Sequence, residues 1–193
     1  MLVLASASPR RRELLTQAGF AFEVRPANIA EDLLAGEDPV SYVTRLAREK
    51  AEHIYRQLAP HSGAGLVVLG ADTTVTLDEH ILGKPEDAAD ARRMLQLLAG
   101  RAHQVATGIA VVSAAGSQAT AEVTRVWFDP LTEQDMVSYI ASGEPMDKAG
   151  AYAIQGRAAC WIPRIAGCYF NVVGLPIARA SALLREAGVE PKL

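Results

Sequence analysis

The chain opens with a short apolar run, Leu2-Val3-Leu4-Ala5, followed at once by Ser6-Ala7-Ser8-Pro9-Arg10-Arg11-Arg12. Ser8 is a strong N-cap and Pro9 a favoured first helical residue, so a buried strand must turn directly into a helix with arginines in its first turn. That turn already carries partial positive charge and unpaired backbone N–H groups, and acidic residues, not arginines, suit it. The conflict is relieved when an external anion binds there, held by N–H groups, serine hydroxyls and guanidinium forks. Helical phase sorts the three arginines. With Leu14, Leu15 and Ala18 on the buried face, Arg11 points along that face, Arg10 lies at its edge and Arg12 points away. Arg10 and Arg11 are therefore expected to face a ligand and Arg12 solvent. On the same argument Arg11 strains the helix start, and its removal should leave the ligand-free chain no less stable.

The net charge is −3. No general attraction to nucleic acid or to an anionic membrane follows from it, so any phosphate binding must come from a local basic site of the protein, which fits a small-molecule ligand. No stretch approaches the ~20 apolar residues that span a bilayer, and the N-terminus lacks the order of a signal peptide. A cytoplasmic protein is expected. With 193 residues, half of them apolar, a single domain over 1–193 can bury a proper core, with room for two lobes. Cys160 and Cys168 lack metal-site pairing and read as reduced thiols, one or both buried. His53, His61, His80 and His103 show no ligand spacing and read as surface or loop residues.

Coarse periodicity gives a mixed α/β chain. After the first helix, which ends at Gly19, 20–26 reads as a short strand and 39–58 as a helix with Lys50 on or beside its apolar stripe. A loop follows over 61–65. Residues 66–71 form a continuous apolar run, read as a buried strand with Asp72-Thr73-Thr74 at its far end, and 75–82 reads as a hairpin. Asp87 can cap a helix to Leu98, stopped at Gly100, and two long strands, 105–112 and 121–128, are separated by a turn at Gly116. Thr132 with Asp135 resembles a capping box for a helix to Ala141. The Gly-rich stretch 147–174 gives no clear assignment, and 176–187 is the last helix.

Asp72 is the foremost candidate for chemistry, because a carboxylate at the end of a buried strand is rigidly placed and partly desolvated. Lys50, Lys84 and Lys148, with Arg10 and Arg11, supply enough cations to neutralise a polyphosphate. Glu31, Asp72 and Asp147 are candidate oxygen ligands for Mg²⁺, which takes one or two carboxylates and fills its shell with water and phosphate. There is no Walker loop, no dinucleotide-binding Gly-x-Gly-x-x-Gly and no Gly-x-Ser-x-Gly elbow, so P-loop transfer is disfavoured and hydrolysis by a metal-assisted water stays open.

Seven segments in order carry a resemblance over essentially the whole chain. They are Leu4-Ala5-Ser6-Ala7-Ser8-Pro9-Arg10-Arg11, Arg45-Leu46-Ala47-Arg48-Glu49-Lys50-Ala51, Leu69-Gly70-Ala71-Asp72-Thr73, Gly83-Lys84-Pro85, His103-Gln104-Val105 with Thr107-Gly108, the stretch from Asp147 to Gly156, and Asn171-Val172-Val173-Gly174-Leu175-Pro176. Together they resemble the Maf family of nucleoside triphosphate pyrophosphatases. The resemblance implies a two-lobed, mixed-sheet α/β fold similar to the inosine triphosphate pyrophosphatases, with a nucleotide in a central cleft. It implies hydrolysis to the nucleoside monophosphate and pyrophosphate with a divalent cation, Mg²⁺ or Mn²⁺. Asp72 corresponds to the family's catalytic carboxylate. Ser6, Arg11, Glu31, Lys50 and Lys84 match its phosphate and metal end, with Glu31 and Asp72 as metal ligands and Lys148 as a further substrate-binding cation. Arg10, Thr73 and Gln155 match positions that choose the base.

The stretch from Asp147 to Gly156 looks like the branch that acts on dTTP and UTP, modified pyrimidine nucleotides included, rather than the branch that acts on 7-methyl-GTP. The alternatives carried beside it are that purine-directed activity and a non-hydrolysing nucleotide-binding regulator of septum formation. A homodimer is compatible with the family. Three positions depart from its pattern: Ala30 stands where a second acidic residue is frequent, Ala153 where Gly is commoner, and Cys168 where a small polar residue is usual.

Overall fold

The computed structural model describes every residue except Ala64, Glu79 and Leu193. Its elements alternate as the mixed α/β expectation requires. β1 (Leu2–Leu4) leads into α1 (Pro9–Gln17), and β2 (Glu23–Val24) precedes the long α2 (Pro39–Ser62). β3 (Val67–Leu77) turns into β4 (His80–Leu82), followed by α3 (Ala88–Leu98). β5 (Ala102–Ser113) and β6 (Gly116–Trp127) come next, then α4 (Glu133–Ala141), β7 (Arg164–Ala166), α5 (Tyr169–Val173) and α6 (Ile177–Glu186). The seven strands form one sheet in the order β2-β1-β3-β5-β6-β7, with β4 beside β3. It is mixed: β1 runs parallel to both β2 and β3, whereas β4 is antiparallel to β3 and β7 to β6.

The chain divides into two compact units. The first comprises Met1–Asp72, Thr107–Glu122 and Gly174–Leu193, the second Thr73–Ala106 and Val123–Val173. In the first unit, Val3, Ala5, Ala47, Ala51, Ile54, Val68 and Ala110 form a core between α2 and the strands. Small residues set its thickness. A Cβ on Gly70 would lie 2.1 Å from the Ala47 carbonyl oxygen, and one on Gly108 2.2 Å from that of Val43, so α2 rests directly on the backbone of β3 and β5. In the second unit, Leu95, Leu98, Phe128, Met136, Tyr139 and Tyr152 centre a separate core.

Local signals place most ends correctly. The Ser8 side chain accepts from the Arg11 amide, and Asp87 caps α3 by accepting from Asp90 N. Thr132 and Asp135 form the full reciprocal capping box of α4. Four expectations are corrected. The helix read to residue 58 continues to Ser62, so His61 is helical and the loop is shorter; Ala64 within it lies outside the described residues. Asp72 does not end a strand but sits inside an eleven-residue one, because the β-branched Thr73, Thr74, Val75 and Thr76 extend it, with Thr74 and Val75 buried. The hairpin after it is present, with Leu77 opposite His80, while Glu79 lies outside the described residues. Cys160 is exposed and Cys168 half-buried, so neither thiol is in the core, although both are free. His103 is no surface residue: it is 2% exposed, and burial drives its pKa down to about 4.

Candidate active site

Five of the singled-out side chains meet in the first unit. The flat α2–β3 packing brings Lys50 over the strand, where its Nζ donates to Asp72 Oδ1 at 2.6 Å and pairs with Glu31 Oε1 at 2.7 Å. The lysine and Asp72 side chains are 9% and 10% exposed, and Glu31 is 51% exposed. One ammonium thus bridges a buried and an open carboxylate. Burial pushes the Asp72 pKa up, against the pull of Lys50 and Arg11, the direction that makes a carboxylate a better proton acceptor near neutral pH.

Arg11 takes the inward direction given by helical phase. Its Nε donates to the Gly174 carbonyl at 2.8 Å, and its Nη1 donates to Ala71 O at 2.8 Å and to Ser6 Oγ at 3.0 Å. Arg12 is exposed and Arg10 half-buried. Arg11 is therefore not a source of strain awaiting an anion, as the sequence suggested. It joins α1 to the strand residue before Asp72 and to the segment before α6, and burial lowers its pKa against the attraction of Asp72. Ser6 is buried between Arg11 and the Ser8 amide, which donates to its Oγ at 3.3 Å.

The open carboxylate is held from α2. Tyr42 donates to the Glu31 carbonyl at 2.8 Å. Arg45 binds both oxygens of Glu37 at 2.7 Å and the Asp32 carbonyl at 2.9 Å. Sequence reading missed Tyr42, Arg45 and Glu37. The available signal was the position of Arg45 one turn and a half before Lys50, on a helix whose apolar stripe faces the sheet.

The remaining candidates belong to the second unit. Thr73 follows Asp72 on β3 and is half-buried. Lys84 is exposed in the Gly83-Lys84-Pro85 turn, which the Gly150 amide ties down by donating to Gly83 O at 3.0 Å. Lys148 Nζ donates to the Glu144 carbonyl at 2.8 Å and pairs with Asp147. Gln155 is exposed on the loop that follows.

Among the described residues no group of three or more His, Cys, Asp or Glu side chains is arranged to hold a metal ion. Glu31 and Asp72, both within 2.7 Å of the same ammonium, are a two-carboxylate set with a cation already between them. Glu31 and Asp72 are the residues that could hold a divalent cation such as Mg²⁺ or Mn²⁺. Asp147 is on the other unit and engaged with Lys148.

Residues 1–187 match the family described as Maf-like protein. The chain belongs to this family. Among relatives of this Maf-like chain, a protein of Anaeromyxobacter dehalogenans named dTTP/UTP pyrophosphatase is 51% identical over 191 residues, 97% of this chain and 94% of the relative. Proteins with the same name from Koribacter versatilis and Chromobacterium violaceum are each 48% identical. Those two matches cover 97% and 98% of this chain, and 95% and 96% of the relatives. At the departures from the family pattern, Glu31 beside Ala30 pairs with Lys50, and Cys168 uses its backbone N–H and carbonyl on Thr124 Oγ1.

Proposed function

We propose that this chain is a nucleoside triphosphate pyrophosphatase that hydrolyses dTTP and UTP to the nucleoside monophosphate and pyrophosphate. The observation that carries the reading is the Asp72–Lys50–Glu31 bridge, from a buried to an open carboxylate, beside the Arg11–Ser6 contact. The relatives named dTTP/UTP pyrophosphatase support it. Water adds across the α–β phosphoanhydride, and Asp72, rigid on β3 and raised in pKa, orients that water and accepts its proton. Lys50 and Arg11 offset the charge on the phosphates, joined by Lys84 and Lys148. Glu31 and Asp72 would hold a divalent cation, Mg²⁺ or Mn²⁺, which polarises phosphate oxygens and lowers the pKa of water.

Arg10, Thr73 and Gln155 choose the base. A donor directed at the carbonyl at position 4 of thymine or uracil meets an amino group in cytosine, and the resulting mismatch costs ~1–3 kcal/mol, roughly ten- to a hundredfold in selectivity. Such an enzyme works in the cytoplasm on free nucleotides rather than on nucleic acid, alone or as a homodimer. Among the described residues no helix is long and apolar enough to cross a membrane.

Pyrophosphate release over a panel of dTTP, UTP, CTP, GTP and 7-methyl-GTP, with Mg²⁺ or Mn²⁺ and with chelator, tests the proposal. It expects dTTP and UTP to lead and the chelator to abolish turnover. Best activity on GTP or 7-methyl-GTP refutes the pyrimidine choice. Nucleotide binding without pyrophosphate release on any substrate refutes the enzyme and favours a binding regulator.

A further inference from the structure

Gln155 is exposed on a loop between two short 3₁₀ turns, a setting in which an uncharged side chain has no obvious means of holding a direction. The backbone on both sides of it is nevertheless fixed by side chains. On one side the Ala153 amide donates to the Tyr139 hydroxyl at 3.1 Å. On the other the Arg157 amide donates to the Glu144 carboxylate, at 3.1 Å to Oε1 and 3.3 Å to Oε2. The two anchors are themselves joined, because the Tyr139 hydroxyl donates to Glu144 Oε1 at 2.8 Å. Between them the Gly156 backbone lies against the carboxylate so closely that a Cβ there would be 1.9 Å from Glu144 Oε1.

The anchors are rigid in turn. Tyr139 is wholly buried on α4, packed edge-on to Trp161 with ring centroids 5.3 Å apart. Burial and the Glu144 carboxylate push its pKa up, which keeps the hydroxyl a donor. The Arg157 guanidinium returns to α4 and donates to Ser138 Oγ at 3.0 Å and Ser138 O at 3.2 Å. The Glu144 carbonyl also accepts from Lys148 Nζ, so one residue braces both the Gln155 loop and a phosphate-directed lysine.

We infer that Tyr139 and Glu144 are positioning residues for base selection, clamping the Ala153–Arg157 loop so that the Gln155 amide presents a fixed donor. The inference rests on the reading of Gln155 given above. A buried tyrosine and a half-buried carboxylate beside this loop do nothing for packing that Phe and Leu could not do more simply. What they add is a defined backbone geometry on each side of a single residue, the condition for an edge-specific hydrogen bond. Neither residue touches the reacting phosphates on this account, so their removal should blur which base is accepted rather than how the anhydride is cut.

The test compares Tyr139→Phe, Glu144→Ala, Glu144→Gln and Gln155→Ala at matched folded fraction. Kinetics on dTTP and CTP are joined by hydrogen exchange at the Ala153 and Arg157 amides. The clamp predicts that Tyr139→Phe and Glu144→Ala narrow the dTTP-to-CTP ratio of kcat/KM by roughly three- to tenfold, the scale of one well-made hydrogen bond, chiefly through a raised KM for dTTP. Glu144→Gln keeps an acceptor oxygen and should recover most of the ratio. Protection should fall at Ala153 in the tyrosine variant and at Arg157 in the alanine variant. Equal losses on both nucleotides in Tyr139→Phe and Glu144→Ala, while Gln155→Ala narrows the ratio, overturn the clamp and leave the Gln155 reading standing. An unaltered ratio in Gln155→Ala overturns that reading, and the clamp with it as a device for selectivity.

Discussion

His103 makes the stability of this protein depend on pH in a way that can be worked through. The ring is buried on β5, its Nε2 hydrogen-bonds the Tyr152 hydroxyl at 2.8 Å, and Phe128 and Tyr152 stand edge-on to it at 5.2 and 5.3 Å. Among the described residues its Nδ1 has no hydrogen-bond partner. With a folded pKa of about 4, the ring stays neutral where an unfolded histidine, at ~6.5, takes a proton. The unfolded chain therefore binds more protons between these values, and stability falls as pH falls. The contribution is fully present above about pH 7. It is reduced by about 1–2 kcal/mol at pH 5.5 and by about 2–3 kcal/mol at pH 4.5. Urea unfolding at pH 7.5, 5.5 and 4.5, wild type against His103→Gln, isolates this term, because carboxylates titrate alike in both and glutamine can still meet Tyr152. The variant should be less stable at pH 7.5 yet lose stability less steeply on acidification. Parallel pH profiles for the two proteins would refute a neutral buried histidine.

Two further substitutions read the packing and the helix start. Arg11→Ala should weaken dTTP binding far more than Arg12→Ala, and should also lower ligand-free stability by about 1–3 kcal/mol because it strands the Ala71 and Gly174 carbonyls; calorimetric binding with thermal unfolding checks both, and equal effects of the two substitutions would sink the phasing argument. Gly70→Ala drives a methyl into the Ala47 carbonyl and should cost about 3 kcal/mol or more, with activity lost as α2 carries Lys50 away from Asp72; a variant with wild-type melting temperature would show that the helix is not seated by that glycine.

The parts of the fold legible in the sequence were those written in local chemistry. Ser8 with Pro9, Asp87 and the Thr132–Asp135 pair each encode a helix start by a hydrogen bond a few residues long. The helical period placed Lys50 on or beside the apolar stripe of α2, but its burial against Asp72 was not read from it. What depended on distant chain was hidden. The β-branched run Thr73 to Thr76 favours a longer strand, but nothing local told that β3 carries Val75 and Leu77 into a second core, and nothing near His103 announced Tyr152. Residues 149–161 have no period because they are short turns, with Gly150 at φ 69° and Ala151 at φ 57°, held by Glu144 and Tyr139 rather than by their own propensity. Arg11 shows the opposite error: its direction was legible from phase, but its carbonyl partners, contributed by Ala71 and Gly174, were not.

Pyrophosphate release from dTTP by the wild type and by Asp72→Asn, with dTTP binding measured on both, tests the central claim most directly. Asparagine keeps the shape on β3 but accepts no proton and weakens the hold on a cation. Turnover should fall by about 10²-fold or more while binding remains measurable. Activity within a few-fold of wild type would contradict the role given to Asp72.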